Sequence, residues 1–152
     1  MKRLGRLDEV FAENPVYFIT ACTHRRVKLL ANQDTHQAFL TFCNQARCRG
    51  ALVGRYVLMP DHLHLFVCTT TEGIGLSDWM KSLKNALSKN WRRHAIAAPH
   101  WQKGFFDHLL RSQESHAEKW KYVRENPVRA GLCHCADDWP YAGQVLPDSS
   151  YM

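Results

Sequence analysis

Two histidines one residue apart, His62 and His64 in the run MPDHLHLFV, are the residues of this chain best placed to do chemistry. In an extended strand alternate side chains share a face, so both imidazoles project the same way, close enough to hold one metal ion. Leu63 and Leu65 point to the other face. Downstream, EKWKYVRENPVRAGL carries Tyr122 and, four residues later, Asn126. On a helix these lie on one face about one turn apart, with Glu118 on the same line. A metal-holding histidine pair together with a tyrosine on a separate helix suggests phosphoryl transfer at a nucleic-acid backbone. The metal would polarise a scissile phosphate and stabilise charge on the departing 3′-oxygen, and the tyrosine would store the bond as a phosphotyrosine. Hydrolysis needs only an activated water, so a tyrosine points to strand transfer. His62, His64 and the Asn126 amide oxygen make a mixed nitrogen and oxygen set that suits Mg²⁺ or Mn²⁺. A structural zinc site would be closed by four protein ligands.

The elements that must position these residues follow from local patterns. VYFITACT, residues 16–23, is β-branched and aromatic and predicts a strand. Apolar spacing predicts a helix over 34–49, with Asp34 or Thr35 as its cap and Gly50 as its stop. ALVGRYVLM and HLHLFVCTT are strand-like and separated by Pro60-Asp61, which predicts an antiparallel hairpin whose second strand opens on the histidine pair. Leu76, Trp79, Met80, Leu83, Leu87 and Trp91 recur every three or four residues, predicting an amphipathic helix over 76–93 with a basic outer face. KGFFDHLLR predicts a fourth strand, and residues 115–126 a third helix ended by Pro127. The order β-α-β-β-α-β plus a terminal helix predicts an α+β, ferredoxin-like sandwich with a four-stranded antiparallel sheet and both long helices on one face. The other face then carries His62, His64 and Phe66, and the third helix is expected to dock there.

The 152 residues suit a single domain over 1–152, with a 45% hydrophobic and 22% charged composition typical of soluble globular chains. No apolar run approaches the ~20 residues needed to cross a bilayer, and MKRLGRLDEVFAEN lacks the pattern of a secretory signal, so a cytoplasmic protein without a membrane partner is expected. The six cysteines include no CxxC pair, and Cys133-His134-Cys135 lacks further ligands at metal-site spacing, so reduced structural thiols are expected. Charge is uneven. All 20 Lys and Arg lie at or before Arg129 with 11 of the 14 acids, a balance of +9, while the tail after residue 130 carries only Asp137, Asp138 and Asp148. A basic body with an acidic tail, about residues 132–152, favours a polyanionic partner because each phosphate neutralised releases counterions.

Across VYFITACTHRRVKLL, MPDHLHLFV, WMKSLKNALSK, HWQKGFFDHLLRS, YVRENPVRAGL and DWPYAG the chain resembles the REP-associated tyrosine transposases. These are bacterial relatives of single-tyrosine insertion-sequence transposases in the HUH endonuclease superfamily. The resemblance implies that His62 and His64 are the metal ligands, Tyr122 the nucleophile joined to the 5′ end of cleaved single-stranded DNA, and Asn126 the third ligand. A glutamine is usual at that third position in the wider family, and Asn126 is one methylene shorter. The implied substrates are single-stranded imperfect palindromes folded into REP-type hairpins, and the implied location is the bacterial nucleoid.

Arg25, Arg26 and Lys28 after the first strand, Lys81, Lys84, Arg92 and Arg93 on the second helix, and Arg111 are candidates for gripping DNA phosphates. Alternation along FFDHLLR puts His108 on one side and Asp107 and Arg111 on the other. Trp91 and Trp101 are read as core residues before base-stacking ones. Two further functions compete with the transposase-like one: a non-catalytic nucleic-acid-binding module using the open sheet face, and a rolling-circle nicking enzyme. In the wider family two chains can join sheets, so a monomer and a homodimer both fit.

Overall fold

The computed structural model describes residues 16–46, 50–69 and 75–146. The predicted helix end at Arg49, and Cys48 and Asp148, lie outside the described residues. Strands β1 (Val16–Cys22), β2 (Ala51–Leu58), β3 (His62–Thr69), β4 (Phe106–Leu110) and β5 (Ala142–Gln144) form one sheet in the order β4-β1-β3-β2-β5. Every neighbouring pair is antiparallel. The expected four-stranded sheet is therefore corrected to five strands. Ala-Gly-Gln of β5 has neither β-branched residues nor alternation, and it becomes a strand only because Arg55–Val57 of β2 offers an unpaired edge to it.

Helices α1 (Gln33–Gln45) and α2 (Leu76–Arg93) cover one face. The cap of α1 is Asn32, two or three residues earlier than the expected Asp34 or Thr35, and its side chain accepts from the Thr35 amide at 2.9 Å. Thr35 is buried and turns its hydroxyl to the Leu29 carbonyl and the Trp91 indole instead. Asp78 in the first turn of α2 and Arg92 and Arg93 in its last turn complement the helix dipole. Trp79, Leu83 and Leu87 of α2 and Phe39 of α1 are fully buried over Ile19, Leu63 and Leu65, forming the main core. Burying a side chain of that size contributes about 1.5–3 kcal/mol. Trp91 belongs to this core and Trp101 packs against it, as expected.

The opposite face carries Phe18, Val57, Phe66, Cys68 and Leu110, a second, smaller core closed by Val123 and Trp120 of α3 (Gln113–Val123). Ser112 caps this helix, accepting from the Ser115 amide at 3.1 Å. The helix stops earlier than the predicted residue 126. Pro127 lacks an N–H for the Val123 carbonyl, and it instead sits in the first turn of a separate short helix, α4 (Asn126–Arg129). Beyond α4 the tail returns along the sheet, where the Trp139 indole donates to the Leu58 carbonyl at 3.0 Å and the Leu58 amide to Tyr141 at 2.8 Å.

Candidate active site

The register of β3 against β1 pairs Cys22 with His62 and Thr20 with His64. The two imidazoles therefore stand on the face that α3 crosses, with ring centroids 4.9 Å apart and planes at 82°. Each ring is anchored through Nδ1. His62 donates from Nδ1 to Asp61 Oδ1 at 2.7 Å, and His64 Nδ1 lies 2.9 Å from Thr20 Oγ1. The Asp61 carboxylate can only accept, so it fixes the proton on His62 Nδ1 and leaves the Nε2 lone pair for a metal, while the Thr20 hydroxyl orients the His64 ring. His64 is also stacked on Phe18 at 5.2 Å. Burial, and then the charges of His62, Lys119 and Arg26, push the His64 imidazole down to about 3, so it is neutral and able to ligate at physiological pH.

Asp61 is shared. Arg26 donates to its carboxylate from Nε at 3.0 Å and from Nη2 at 3.5 Å, and donates from Nη1 to Cys22 Sγ at 2.9 Å. Burial acts to raise the Asp61 carboxyl, but the hydrogen bonds from His62 and Arg26 and the Arg26 charge outweigh it and leave the group below its ordinary value. Arg26 Nη2 is also 3.3 Å from His62 Nδ1, and Asp61, the stronger acceptor, takes both protons. This arrangement requires a strained turn. Arg25 and Arg26 hold φ of 52° and 57°, the left-handed region that costs a non-glycine residue about 1–2 kcal/mol. Buried Thr23 secures the turn by donating from its amide to the Asp61 carbonyl at 3.0 Å and from its hydroxyl to the Val27 carbonyl at 2.7 Å. The His24 amide adds a bond to the His100 carbonyl at 2.9 Å.

Tyr122 lies on the flank of α3 nearest β4, is 64% exposed, and lines a cleft with His108, Leu110, Glu118 and Lys119. Phe18 and His108 are register partners, so His108 shares the face of His64 while Asp107 points away. The Lys119 ammonium stands 5.0 Å from the centre of the Phe18 ring, which stacks on His64, so one wall separates the tyrosine cleft from the histidines. The Arg129 guanidinium covers the Tyr122 ring at 4.0 Å and donates to the Tyr122 carbonyl at 2.7 Å and to the Asn126 amide oxygen. Among the described residues no hydrogen bond or ring contact joins Tyr122 or Asn126 to either histidine.

Among the described residues no three His, Cys, Asp or Glu side chains form a metal-holding group. The donor set on β3 is therefore two imidazoles anchored for ligation through Nε2, which fits a metal whose remaining ligands are oxygens. Cys133 and Cys135 gather no such partners either.

The remaining basic candidates are dispersed. Arg25, Lys28 and Arg111 are exposed, and Lys81, Arg92 and Arg93 are exposed on α2, across the sheet from the histidines. Lys84 anchors a loop, donating to the Gln102 carbonyl at 3.1 Å and to that of Gly104, with its ammonium 5.7 Å from the Trp101 ring centre. Asp61, Thr20, Lys119 and Arg129 were not singled out for the site in the sequence. Asp61 directly precedes His62 and carried a signal there, hidden by its equal fitness for a turn; the other three depend on strand register or helix packing.

The sequence model of the family described as Transposase IS200 like matches residues 12–126, a span that contains both histidines and Tyr122 and ends on Asn126. A REP-associated tyrosine transposase of Escherichia coli K12 is 25% identical over 126 residues, covering 83% of this chain and 73% of that protein. A Haemophilus influenzae protein assigned to the REP-associated tyrosine transposases is 23% identical over 146 residues, covering 87% and 81%. Among solved structures, a REP-associated tyrosine transposase bound to a REP hairpin superposes with a TM-score of 0.68 at 21% identity, covering 93% of this chain and 82% of that one. The mixed α+β architecture is thus shared with a transposase fold. With the family match spanning more than half of its residues, the chain belongs to the IS200-like transposase family.

Proposed function

We propose that this chain is a single-stranded DNA endonuclease and strand transferase that acts on REP-type hairpins. The observation that carries the reading is the histidine pair: both rings are anchored through Nδ1 by Asp61 and Thr20, on the sheet face that the Tyr122 helix crosses. We read the β1-α1-β2-β3-α2-β4 portion as a ferredoxin-like unit, extended at its β2 edge by β5.

His62 and His64 would hold a divalent cation, Mg²⁺ or Mn²⁺, with the Asn126 amide oxygen as third ligand once its bond from Arg129 opens. Such a cation supplies charge stabilisation at the scissile phosphate and the departing oxygen. The Tyr122 hydroxyl attacks the phosphorus; the new Tyr122 O–P bond replaces the P–O3′ bond, the phenol proton passes to solvent, and the leaving 3′-oxygen takes one up. A 3′-hydroxyl of another strand reverses these steps and releases Tyr122. Arg129, stacked on the Tyr122 ring, orients the phenol and brings positive charge near the phosphate. Arg25, Arg26 and Lys28 would meet phosphates near the histidines, Arg111 would meet them at the far end of β4, beyond the Leu110–Val16 pair, and Lys81, Lys84, Arg92 and Arg93 would meet only DNA that wraps to the α2 side.

Among the described residues no helix is long and apolar enough to cross a membrane. The enzyme would work at the nucleoid of the bacterial cytoplasm, as a monomer or a homodimer. A non-catalytic nucleic-acid-binding module is the second reading, favoured by the lack of contact between Tyr122 and the histidines. End-labelled REP-type hairpins from the source genome, incubated with Mg²⁺ and resolved under denaturing conditions, separate the two. A protein–DNA adduct that vanishes in Tyr122→Phe supports the enzyme. Binding without any adduct supports the module.

A further inference from the structure

Helix α3 divides the open sheet face into two flanks, and Trp120 and Tyr122, two residues apart and so roughly 200° apart around the helix, mark one flank each. The tyrosine flank has its cleft with His108. On the other flank, between α3 and the β2–β5 edge, lies a second cleft of about 330 Å³ lined by Arg55, Trp120, Arg124, Asp137, Trp139 and Gln144. Its walls are aromatic and cationic. The Trp120 indole meets Phe66 edge to face at 6.1 Å, and the Arg55 guanidinium stands 5.4 Å from the Trp120 ring centre. Trp139 is fixed by its bond to the Leu58 carbonyl and by an edge contact with Tyr141 at 5.4 Å. Both indoles are only partly buried. Arg55, which pairs with Gln144, lies inside the register shift of β2 between Val53 and Tyr56, and a bulge of this kind re-aims the side chains within it.

We infer that this cleft binds an unpaired nucleotide of single-stranded DNA, the base stacking on the Trp120–Trp139 wall and the phosphate pairing with Arg55 and Arg124. Indole faces give sequence-tolerant stacking, guanidinium groups pair with phosphate and stack as well, and the body of the chain is strongly basic. One carboxylate shares the cleft. Asp137 accepts from Arg124 Nη2 at 2.8 Å, with its own side chain 87% exposed. In the DNA-free fold Asp137 occupies the partner position that a phosphate would take, so DNA must displace it, and removing its charge should strengthen binding. The inference rests on the proposed function only for the presence of single-stranded DNA at this face, since the cleft uses neither the histidines nor Tyr122.

The test uses the full chain carrying Tyr122→Phe, with chelator present, so that neither metal nor cleavage enters. Affinity for a mixed-sequence single strand and for a blunt duplex is measured by anisotropy, with tryptophan fluorescence followed in parallel. The single strand should quench tryptophan, and Arg55→Ala with Arg124→Ala should weaken it roughly tenfold while leaving the duplex unchanged. Trp120→Phe, which keeps a ring against Phe66, should weaken it less, and Asp137→Asn should tighten it. Equal single-strand affinity in the double arginine variant, equal losses on both probes, or no gain in Asp137→Asn would overturn the cleft assignment. Failure of the hairpin adduct with these binding results intact would sink only the catalytic reading, and an intact adduct with these results absent would sink only the cleft.

Discussion

Thr20 Oγ1 lies 2.9 Å from His64 Nδ1, joining two residues that are direct register partners on β1 and β3. The bond holds the imidazole of an ordinary strand histidine in one orientation. Thr20→Val keeps the β-branched shape and removes the hydroxyl. Titration calorimetry with Mn²⁺ should show affinity falling at least tenfold, in the ~10–100-fold range typical of lost outer-shell partners. Unchanged affinity would mean that Thr20 does not position His64 for ligation.

The Arg26 turn allows backbone strain to be separated from charge. Arg26→Ala and Arg26→Gly both free Asp61, but only glycine is at ease at a φ of 57°. Denaturant unfolding should find the glycine variant more stable than the alanine variant by about 1 kcal/mol. Both should weaken Mn²⁺ binding, because Asp61 then holds His62 alone. Equal stability of the two variants would remove the strain from this turn.

Stability should fall with acid in a defined window. Folding holds His64 neutral down to about 3, whereas the unfolded chain takes up a proton there below the ordinary value of 6.5. The unfolded state therefore binds more protons, so the contribution is complete above pH 6.5 and is lost as pH falls toward 3. His36, also lowered by burial, acts in the same sense, and Asp61 adds a loss only below its ordinary 3.8. Chelated protein unfolded by denaturant across this range should show the limb, and His64→Gln should flatten it. A limb that survives His64→Gln undiminished assigns it elsewhere.

What is legible in the sequence alone is local. The spacing of Trp79, Leu83, Leu87 and Trp91 gave α2 its full extent, since one buried stripe dictates a helix by itself. Pro60-Asp61 between two alternating runs gave the β2–β3 hairpin and with it the common face of His62 and His64. What stayed hidden was non-local. No pattern in VYFITAC says that Thr20 stands opposite His64, because register depends on how two distant strands pair. The left-handed Arg26 runs against its own preference and exists only because Thr23 and Asp61 hold it. For Asn126 the four-residue spacing from Tyr122 was visible, but Pro127 moved it from the end of α3 to the head of α4, where Arg129 takes its amide.

Core and site should separate in mutagenesis. Leu63 is fully buried between the sheet and α1–α2, so Leu63→Ala should cost about 2–5 kcal/mol in unfolding free energy. Tyr122→Phe removes an exposed hydroxyl with no hydrogen-bond partner among the described residues, and its thermal midpoint should match the parent. A destabilised Tyr122→Phe would point to a structural tyrosine.

The decisive measurement is peptide mapping of the protein–DNA adduct formed on an end-labelled REP-type hairpin in Mg²⁺. The expected result is a single phosphotyrosine at Tyr122 carrying the 5′ end of the cleaved strand, abolished by chelator and by His62→Ala or His64→Ala. An adduct mapped to another residue, or cleavage that persists in Tyr122→Phe, would contradict it.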